Sequence, residues 1–407
     1  MSTRDQRVSH DAPSLPPPSQ DLGVKTIEDL AKAGRLGPRA PFVRCVTAVL
    51  SPSLLRSPDV KQPPFSLFRK LREQSWLPAC VTRCVNCVDD TVVDAAFLPR
   101  LDVHRRALRL QLCPNGVYRD YFLCERSLLF VPEWFAPPRA DAWPRGLSQV
   151  GWPLEDDEPN PEPPNPEPTA PSIPDALARW LEETAPKYGR TIVFLCGTGN
   201  PRHASDFFAA AAAIVARMNK SYRDRDLPSK FRVIVDETKR TRAVFLTAHP
   251  EVLPVGIVDG EIEGAFHCEY ADLDALLPEC TAIVHGGGVG TVAAAVTHAT
   301  PQLICPSAFD QYDNGQRVAR RGVGEVISAE KICEARRSKR VLKRVRDLLW
   351  RLSDPWETNP YRKQYVKLGR IDKAERVGKG LRFAAGEVVA MFDTMDPKPP
   401  PRLEFLS

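Results

Sequence analysis

Beyond residue 190 the chain alternates short apolar runs with helix-patterned segments, and this alternation restricts the fold more than any other feature. "TIVFLCG", "FRVIVDE", "AVFLTA", "GAFHCEY", "TAIVHGG" and "PQLICPS" each read as a short buried strand. Helical patterns lie between several of them. The clearest is "HASDFFAAAAAIVARMNK", where Phe208, Ala211, Val215 and Met218 fall on one stripe. Strands alternating with helices predict a parallel sheet, because a parallel neighbour is reached only by a long crossover that a helix supplies.

The remainder of the chain divides around that region. Residues 1–41 are polar and proline-bearing and are expected to be disordered, apart from a short helix at "TIEDLAKAG". "FVRCVTAVLSPS" reads as a buried strand entering a turn, and "SLLFVPEWF" as a strand ending in one. Residues 65–112 read as mostly helical, with Leu67, Leu71, Leu101, Val103, Leu108 and Leu110 as apolar anchors. Residues 155–172 are acidic and proline-dense, the composition of an extended linker. The expected organisation is a polar segment 1–41, a first domain 42–154, the linker 155–172, a second domain 173–393 and a tail 394–407. Two domains also suit a length of 407 residues. Within the second, "VLKRVRDLLWRL" is amphipathic, with Val341, Val345, Leu348, Leu349 and Leu352 inward. "KAERVGKGLRFAAGEVVAMFDTM" reads as the last helix.

Charge and cysteines exclude some partners. A net charge of +5 is mild for this size and calls for no nucleic acid. The basic run 336–351 puts its cations mostly off the apolar stripe, as a solvated helix face does; a peripheral membrane or polyanion contact is the alternative. No apolar run reaches membrane-spanning length, and the N-terminal residues lack a signal-peptide core, so a cytoplasmic protein is expected. Of the 11 cysteines, Cys45, Cys196, Cys280 and Cys305 sit in apolar runs, which suits reduced, buried thiols. Cys80, Cys84 and Cys87 are expected on a helix that packs inward. They lack a fourth ligand at finger-like spacing, the next cysteine being Cys113, and no metal site is expected.

Four glycines stand in "AIVHGGGVGTVAAAV", between a strand-like and a helix-like run. Glycine there costs backbone entropy. A helix start offers free N–H groups and the positive end of the dipole, and bare backbone lets a phosphate approach them. The loop therefore reads either as a diphosphate site, with the Thr291 hydroxyl adding to it, or as a tight turn holding nothing. No Lys-Ser/Thr pair follows, and the GxGxxG spacing is missing. Downstream, Asp310 and Gln311 follow a strand's carboxyl end, where open parallel sheets bind ligands. A carboxylate beside an amide suits vicinal sugar hydroxyls; an N-capping role for Asp310 is the alternative.

"HGGGVGT…PQLICPSAFDQYDNGQRVARRGVG" resembles the nucleotide-binding signature of GT-B glycosyltransferases, closest to the rhamnosyltransferase-like and sterol-glucosyltransferase-like branch of UDP-glycosyltransferases. "SLLFVPEWFAPPRADAWPRGLSQVGWPL", "TIVFLCGTGNPRH" and "CEYADLDALLPECTAIVH" support it in the family's order, over residues 42–392. The resemblance implies an α/β protein with two Rossmann-like domains facing a cleft, the second holding a UDP- or dTDP-sugar. It implies inverting transfer to a lipid or small-molecule hydroxyl, with no cofactor or metal. Gly197 and Thr198 would face the diphosphate, and Gly287, Gly288, Gly290 and Thr291 would bind it from the helix start. Asp310 and Gln311 would hold the sugar, Tyr270 would flank the base, and His203 would sit at the mouth of the first loop. His285 fills the first place of a His-His pair, and Gly286 stands where many members carry the second. The first half of the acceptor domain, with the usual catalytic base, has no counterpart in residues 1–41. Asp89 and Asp90 read as a solvated helix start rather than that base. An inactive or partner-completed donor-binding chain is therefore the alternative, and a Rossmann oxidoreductase the alternative of another class.

Overall fold

The computed structural model describes residues 46–50, 52–54, 78–110, 112, 116–117, 126–138, 143, 147–152, 173–196, 204–223, 240–354, 359–376 and 384–388. The "FRVIVDE" strand, Leu67, Leu71, Cys45, Cys113, the helix at "TIEDLAKAG" and the linker lie outside them. The chain forms two compact units, one of residues 1–47 and 92–126, the other of residues 48–91 and 127–407.

The larger unit is built on a six-stranded sheet. Its strands are β4 (Tyr188–Leu195), β5 (Arg240–Leu246), β6 (Ala265–Cys268), β7 (Ala282–His285), β8 (Gln302–Ile304) and β9 (Gly324–Val326). They run in the order β6-β5-β4-β7-β8-β9, and every neighbouring pair is parallel. The residues explain the burial on both faces. Ile192 and Phe194 of β4, Ala243 and Phe245 of β5, and Ala282 and Val284 of β7 enter one core. The alternate residues Val193, Val244, Leu246 and Ile283 enter the other. Period-two alternation with apolar residues at both phases is the pattern of a strand covered twice. Phe194 and Phe245, directly paired in register, stack at 5.6 Å. β9 is only three residues long, too short for the sequence to separate from its glycine turn.

On the first face lies the helix Ala204–Arg223, which buries Phe208, Ala211, Val215 and Met218 as its stripe predicts. Beside it pack Ala329–Glu334 and Lys339–Leu352. The latter buries Val345, Leu349 and Leu352, with Val341 and Leu348 half-buried. The other face is covered by Asp175–Thr184, Leu273–Leu276 and Val289–Thr297. A helix at Gln311–Arg321 ends at Gly322 in the left-handed region (φ 69°). A helix at Pro360–Arg376 begins upstream of the expected last helix, and Asn359 holds its start. The Asn359 Oδ1 accepts from Tyr361 N–H (2.9 Å) while its Nδ2 donates to the Leu352 and Asp354 carbonyls. Residues 384–388, within the expected last helix, are also helical.

A second sheet has the order β1-β2-β3, from Val46–Val49, Arg126–Leu129 and Leu147–Gln149. β2 and β3 are parallel. The turn after β2 packs Trp134 and Phe135 against Trp152, with ring centroids 5.2 and 5.6 Å away. Gln149 Nε2 clamps that turn by donating to the Val131 and Ala136 carbonyls.

The first α-helix among the described residues, α1 (Ala79–Ala107), corrects two expectations. Its buried stripe carries Val85, Asp89 and Val93, so Cys80, Cys84 and Cys87, rotated off that stripe, are exposed rather than packed inward. Asp89 is buried in mid-helix, and Asp90 half-buried beside it; neither is a solvated helix start. Val103 is exposed, whereas Leu108 is buried. The other α-helices used below, in chain order among the described residues, are α2 (Asp175–Thr184), α3 (Ala204–Arg223), α4 (Leu273–Leu276), α5 (Val289–Thr297), α6 (Gln311–Arg321), α7 (Ala329–Glu334), α8 (Lys339–Leu352) and α9 (Pro360–Arg376).

Candidate functional site

Strand order locates the site. The chain moves outward from β4 through β5 to β6, then returns to β7 on the other side of β4 and continues to β8 and β9. The order reverses between β4 and β7, and a crevice opens at such a point outside the strands' carboxyl ends. The loop after β7 is the glycine loop. The loop after β4 contains Gly197, Thr198 and His203, which lie outside the described residues.

The glycine loop divides into a scaffold half and an open half. Gly287 is buried at φ +96°, and a Cβ placed on it would stand 2.6 Å from Ile304 Cγ2. Its N–H donates to His285 Nδ1 (3.1 Å), and its carbonyl accepts from Asn314 Nδ2 (3.0 Å). Both backbone polar groups are thus used within the protein, and the expectation that Gly287 binds a ligand gives way to a structural role. Gly288 and Gly290 differ. Both are exposed, and a Cβ on either meets nothing within 4 Å. Gly288 is the N-cap of α5, and no side chain caps this helix. The first-turn amides of residues 288–291 therefore begin a nine-residue helix whose start faces open space, with Thr291 half-buried among them.

His285 is 1% exposed, and both of its ring nitrogens are committed. Because Nδ1 accepts from Gly287, the proton sits on Nε2, which donates to Gln302 Oε1 (3.1 Å). Gln302 Nε2 donates to the Tyr365 hydroxyl (3.0 Å), which lies 2.9 and 2.7 Å from the Thr300 and Val323 carbonyls. Burial pushes the imidazole pKa down to about 4, so His285 is neutral. Neither ring nitrogen of His285 is turned to the crevice. It shapes the loop from below, and a ring with both nitrogens satisfied internally has nothing left to offer.

The structure brings Asp310 and Gln311 to this loop. Gln311 Oε1 accepts from Ser307 N–H (2.9 Å) and Ala308 N–H (3.2 Å), holding the turn after β8. Its Nε2 stands 3.6 Å from where a Gly286 Cβ would be. Asp310 occupies the N-cap position of α6, but its side chain makes no capping bond. Its Oδ2 instead accepts from Asn314 Nδ2 (2.8 Å). Burial raises the Asp310 pKa, against a smaller lowering by Asn314. The preceding Phe309 is half-exposed at φ +49°, a strained conformation for an aromatic residue.

Asn314 joins the two halves, reaching both the Gly287 carbonyl and the Asp310 carboxylate, and it is fully buried. Sequence reasoning missed it, along with Gln302 and Tyr365. One signal was present: α6 is strongly polar, yet buries Asp313, Asn314 and Arg317, and buried polar residues need partners. Arg317 pairs with Asp313 (2.7 Å) and donates to the Phe135 carbonyl (3.3 Å). Tyr270 follows β6 at the same carboxyl edge and is 76% exposed. Two strands, β5 and β4, lie between β6 and β7, and the structure does not bring Tyr270 to the glycine loop.

Among the described residues there is no group of three or more His, Cys, Asp or Glu able to hold a metal, and no helix long and apolar enough to cross a membrane.

Residues 263–351, which carry the glycine loop and the Asp310–Asn314 segment, match the family "Erythromycin biosynthesis protein CIII-like, C-terminal domain". The chain is 28% identical over 182 residues to 3-alpha-mycarosylerythronolide B desosaminyl transferase of Saccharopolyspora erythraea, covering 37% of this chain and 43% of that one. It is 33% identical over 101 residues to a sterol 3-beta-glucosyltransferase of Arabidopsis thaliana, covering 22% and 16%. It is 38% identical over 64 residues to tylactone mycaminosyltransferase of Streptomyces fradiae, covering 16% and 14%. In each case the match spans less than half of the relative's own length. The solved calicheamicin glycosyltransferase shares the fold at a TM-score of 0.50 with 16% identity, over 90% of this chain and 70% of that one. The fold class is α/β of GT-B type, as the likeness to that structure shows, and the parallel six-stranded sheet agrees with it.

Proposed function

We propose that this chain is a glycosyltransferase that moves a sugar from a nucleoside diphosphate to the hydroxyl of a small molecule or lipid. The observation that carries the reading is the uncapped, glycine-lined start of α5 at the sheet's switch point, joined through Asn314 to Asp310. The matches to glycosyltransferases of macrolides and sterols support it.

In this reading the amides of Gly288, Val289, Gly290 and Thr291 hold the donor's diphosphate. Asp310 accepts hydrogen bonds from the sugar hydroxyls, and the Gln311 amide donates to one. Gly197 and Thr198 complete the diphosphate site from the β4 loop, and the exposed Tyr270 ring offers a face for the base. The acceptor hydroxyl attacks the anomeric carbon from the face opposite the diphosphate. The new C–O bond forms as the bond to the diphosphate oxygen breaks, and the configuration inverts. The electron pair leaves with the nucleoside diphosphate, where helix-start amides stabilise the developing charge. The acceptor's proton passes to a base outside the residues assigned here. The donor is the only small molecule the reading calls for besides the acceptor.

The test is calorimetric titration with UDP- and dTDP-glucose of the wild type and Asp310→Ala. Losing a charge-assisted contact is expected to weaken binding about 10- to 100-fold. The carboxylate must be ionised to accept, and its pKa is raised. Donor affinity is therefore expected to fall with decreasing pH at higher pH than an ordinary carboxylate would give, and to be flat in Asp310→Asn. Failure of the wild type to bind either sugar nucleotide, or equal binding by the alanine variant, would sink the proposal.

A further inference from the structure

The basic run forms the solvated helix face its spacing predicts, Arg340, Lys343, Arg344 and Arg351 all being exposed, and that face borders a cavity. A cavity of about 580 Å³ lies where the exit of β9 meets α6, α7 and α8. Five cations line it: Lys331 from α7 and Arg340, Lys343, Arg344 and Arg351 from α8. Lys343, Arg344 and Arg351 lie three, four and eleven residues after Arg340, which is one helix face. The opposite face is fixed in the core by Val345, Leu349 and Leu352. The cationic face is therefore held toward the cavity by packing rather than left to rotate.

The two acids on the wall are already engaged. Asp347 accepts from Arg346 Nε at 2.8 Å, and Glu325 accepts from the Tyr361 hydroxyl at 2.6 Å. The placement of the cations also opposes helix stability. The first turn of α8 carries Lys339 and Arg340 and no acid, at the end where the macrodipole disfavours positive charge. Arg340 and Arg344 stand four residues apart with like charge, a further cost. A helix that accepts both costs beside a cavity of ligand size is arranged for an anion.

We infer that this cavity binds a ligand carrying two or more phosphate groups. Its source is either a soluble polyphosphorylated molecule or a phosphorylated lipid headgroup. The site lies beyond β9, at the sheet edge away from the glycine loop, and is independent of the donor reading.

The full chain is titrated with sodium tripolyphosphate in the presence of UDP, and separately sedimented with phosphatidylcholine vesicles containing phosphatidylinositol bisphosphate. UDP serves to occupy the glycine loop, but the comparison of wild type with a Lys343→Glu, Arg344→Glu variant reads the basic cavity whether or not UDP binds. Charge reversal is expected to weaken binding by about tenfold or more, with a wild-type affinity that falls with added salt. Binding of tripolyphosphate alone supports the site with a soluble ligand; capture by vesicles alone supports it with a headgroup. A second variant guards against misfolding. Arg340→Glu places an acid in the helix's first turn, so its thermal midpoint should equal or exceed the wild type's while anion affinity drops. If neither probe distinguishes wild type from both variants, the inference is overturned.

Discussion

Alanine at Gly287 is expected to destabilise the protein by about 2–5 kcal/mol, whereas alanine at Gly290, three residues along, leaves the fold intact and removes donor binding. The first effect follows from two costs at one position. The backbone there is left-handed (φ +96°), and the new methyl would stand 2.6 Å from Ile304 Cγ2 and 3.2 Å from the Gln311 carbonyl oxygen. Neither neighbour can retreat freely, since Ile304 is a buried strand residue and Gln311 begins α6. Gly290 has no such constraint: a methyl there meets nothing within 4 Å, and its backbone is already helical. At a helical position alanine is favoured over glycine, by up to about 1 kcal/mol in a helix interior and less in the first turn, so unfolding midpoints should hold or rise. The methyl would nonetheless occupy the space through which a phosphate reaches the first-turn amides. Urea unfolding and sugar-nucleotide titration of the two variants separate these roles. A Gly290→Ala protein that binds the donor as tightly as the wild type would mean the helix start holds no diphosphate.

Stability is expected to fall steeply as pH drops from about 6.5 toward 4, and His285 to be a principal cause. The folded protein holds this histidine neutral, with its pKa lowered from 6.5 to about 4 by burial. The unfolded chain binds a proton near 6.5, and the folded chain does not until much lower pH. The stabilisation is therefore complete above the unfolded value and is lost as pH descends through the window between the two. A shift of this size corresponds to roughly 3 kcal/mol at the acid end. Protonation would also place a second N–H at Nδ1, facing the Gly287 N–H that now donates to it. His285→Asn removes the titration, and its unfolding midpoint should vary less between pH 7 and 5 than the wild type's. Parallel pH slopes in the two proteins would refute the assignment.

Much of this architecture could be read from residues alone. The apolar runs of β4, β5 and β7 required burial on both faces, and the intervening amphipathic stripe of α3 required a helix, so a parallel α/β layer followed. The glycines before Thr291 and the Asp310–Gln311 pair marked the two segments that meet at the site, because local chemistry restricts where such residues are useful. What local pattern could not carry was the division of labour within the loop. Gly287 and Gly290 are identical in sequence terms, yet one is pressed against Ile304 and the other faces open space. His285 was equally ambiguous until Gln302, 17 residues away, and Tyr365, 63 residues beyond that, were found to absorb its hydrogen-bonding capacity. Asn314 acquired a role only when strand order set α6 beside the β7 loop. The exposed face of Cys80, Cys84 and Cys87 was likewise a matter of which stripe of α1 found a partner. Sequence determines element type and periodicity because these depend on neighbours within a turn or a strand. Which polar groups are spent on the scaffold and which are left for a ligand depends on residues brought together across the sheet, and only the tertiary structure decides that.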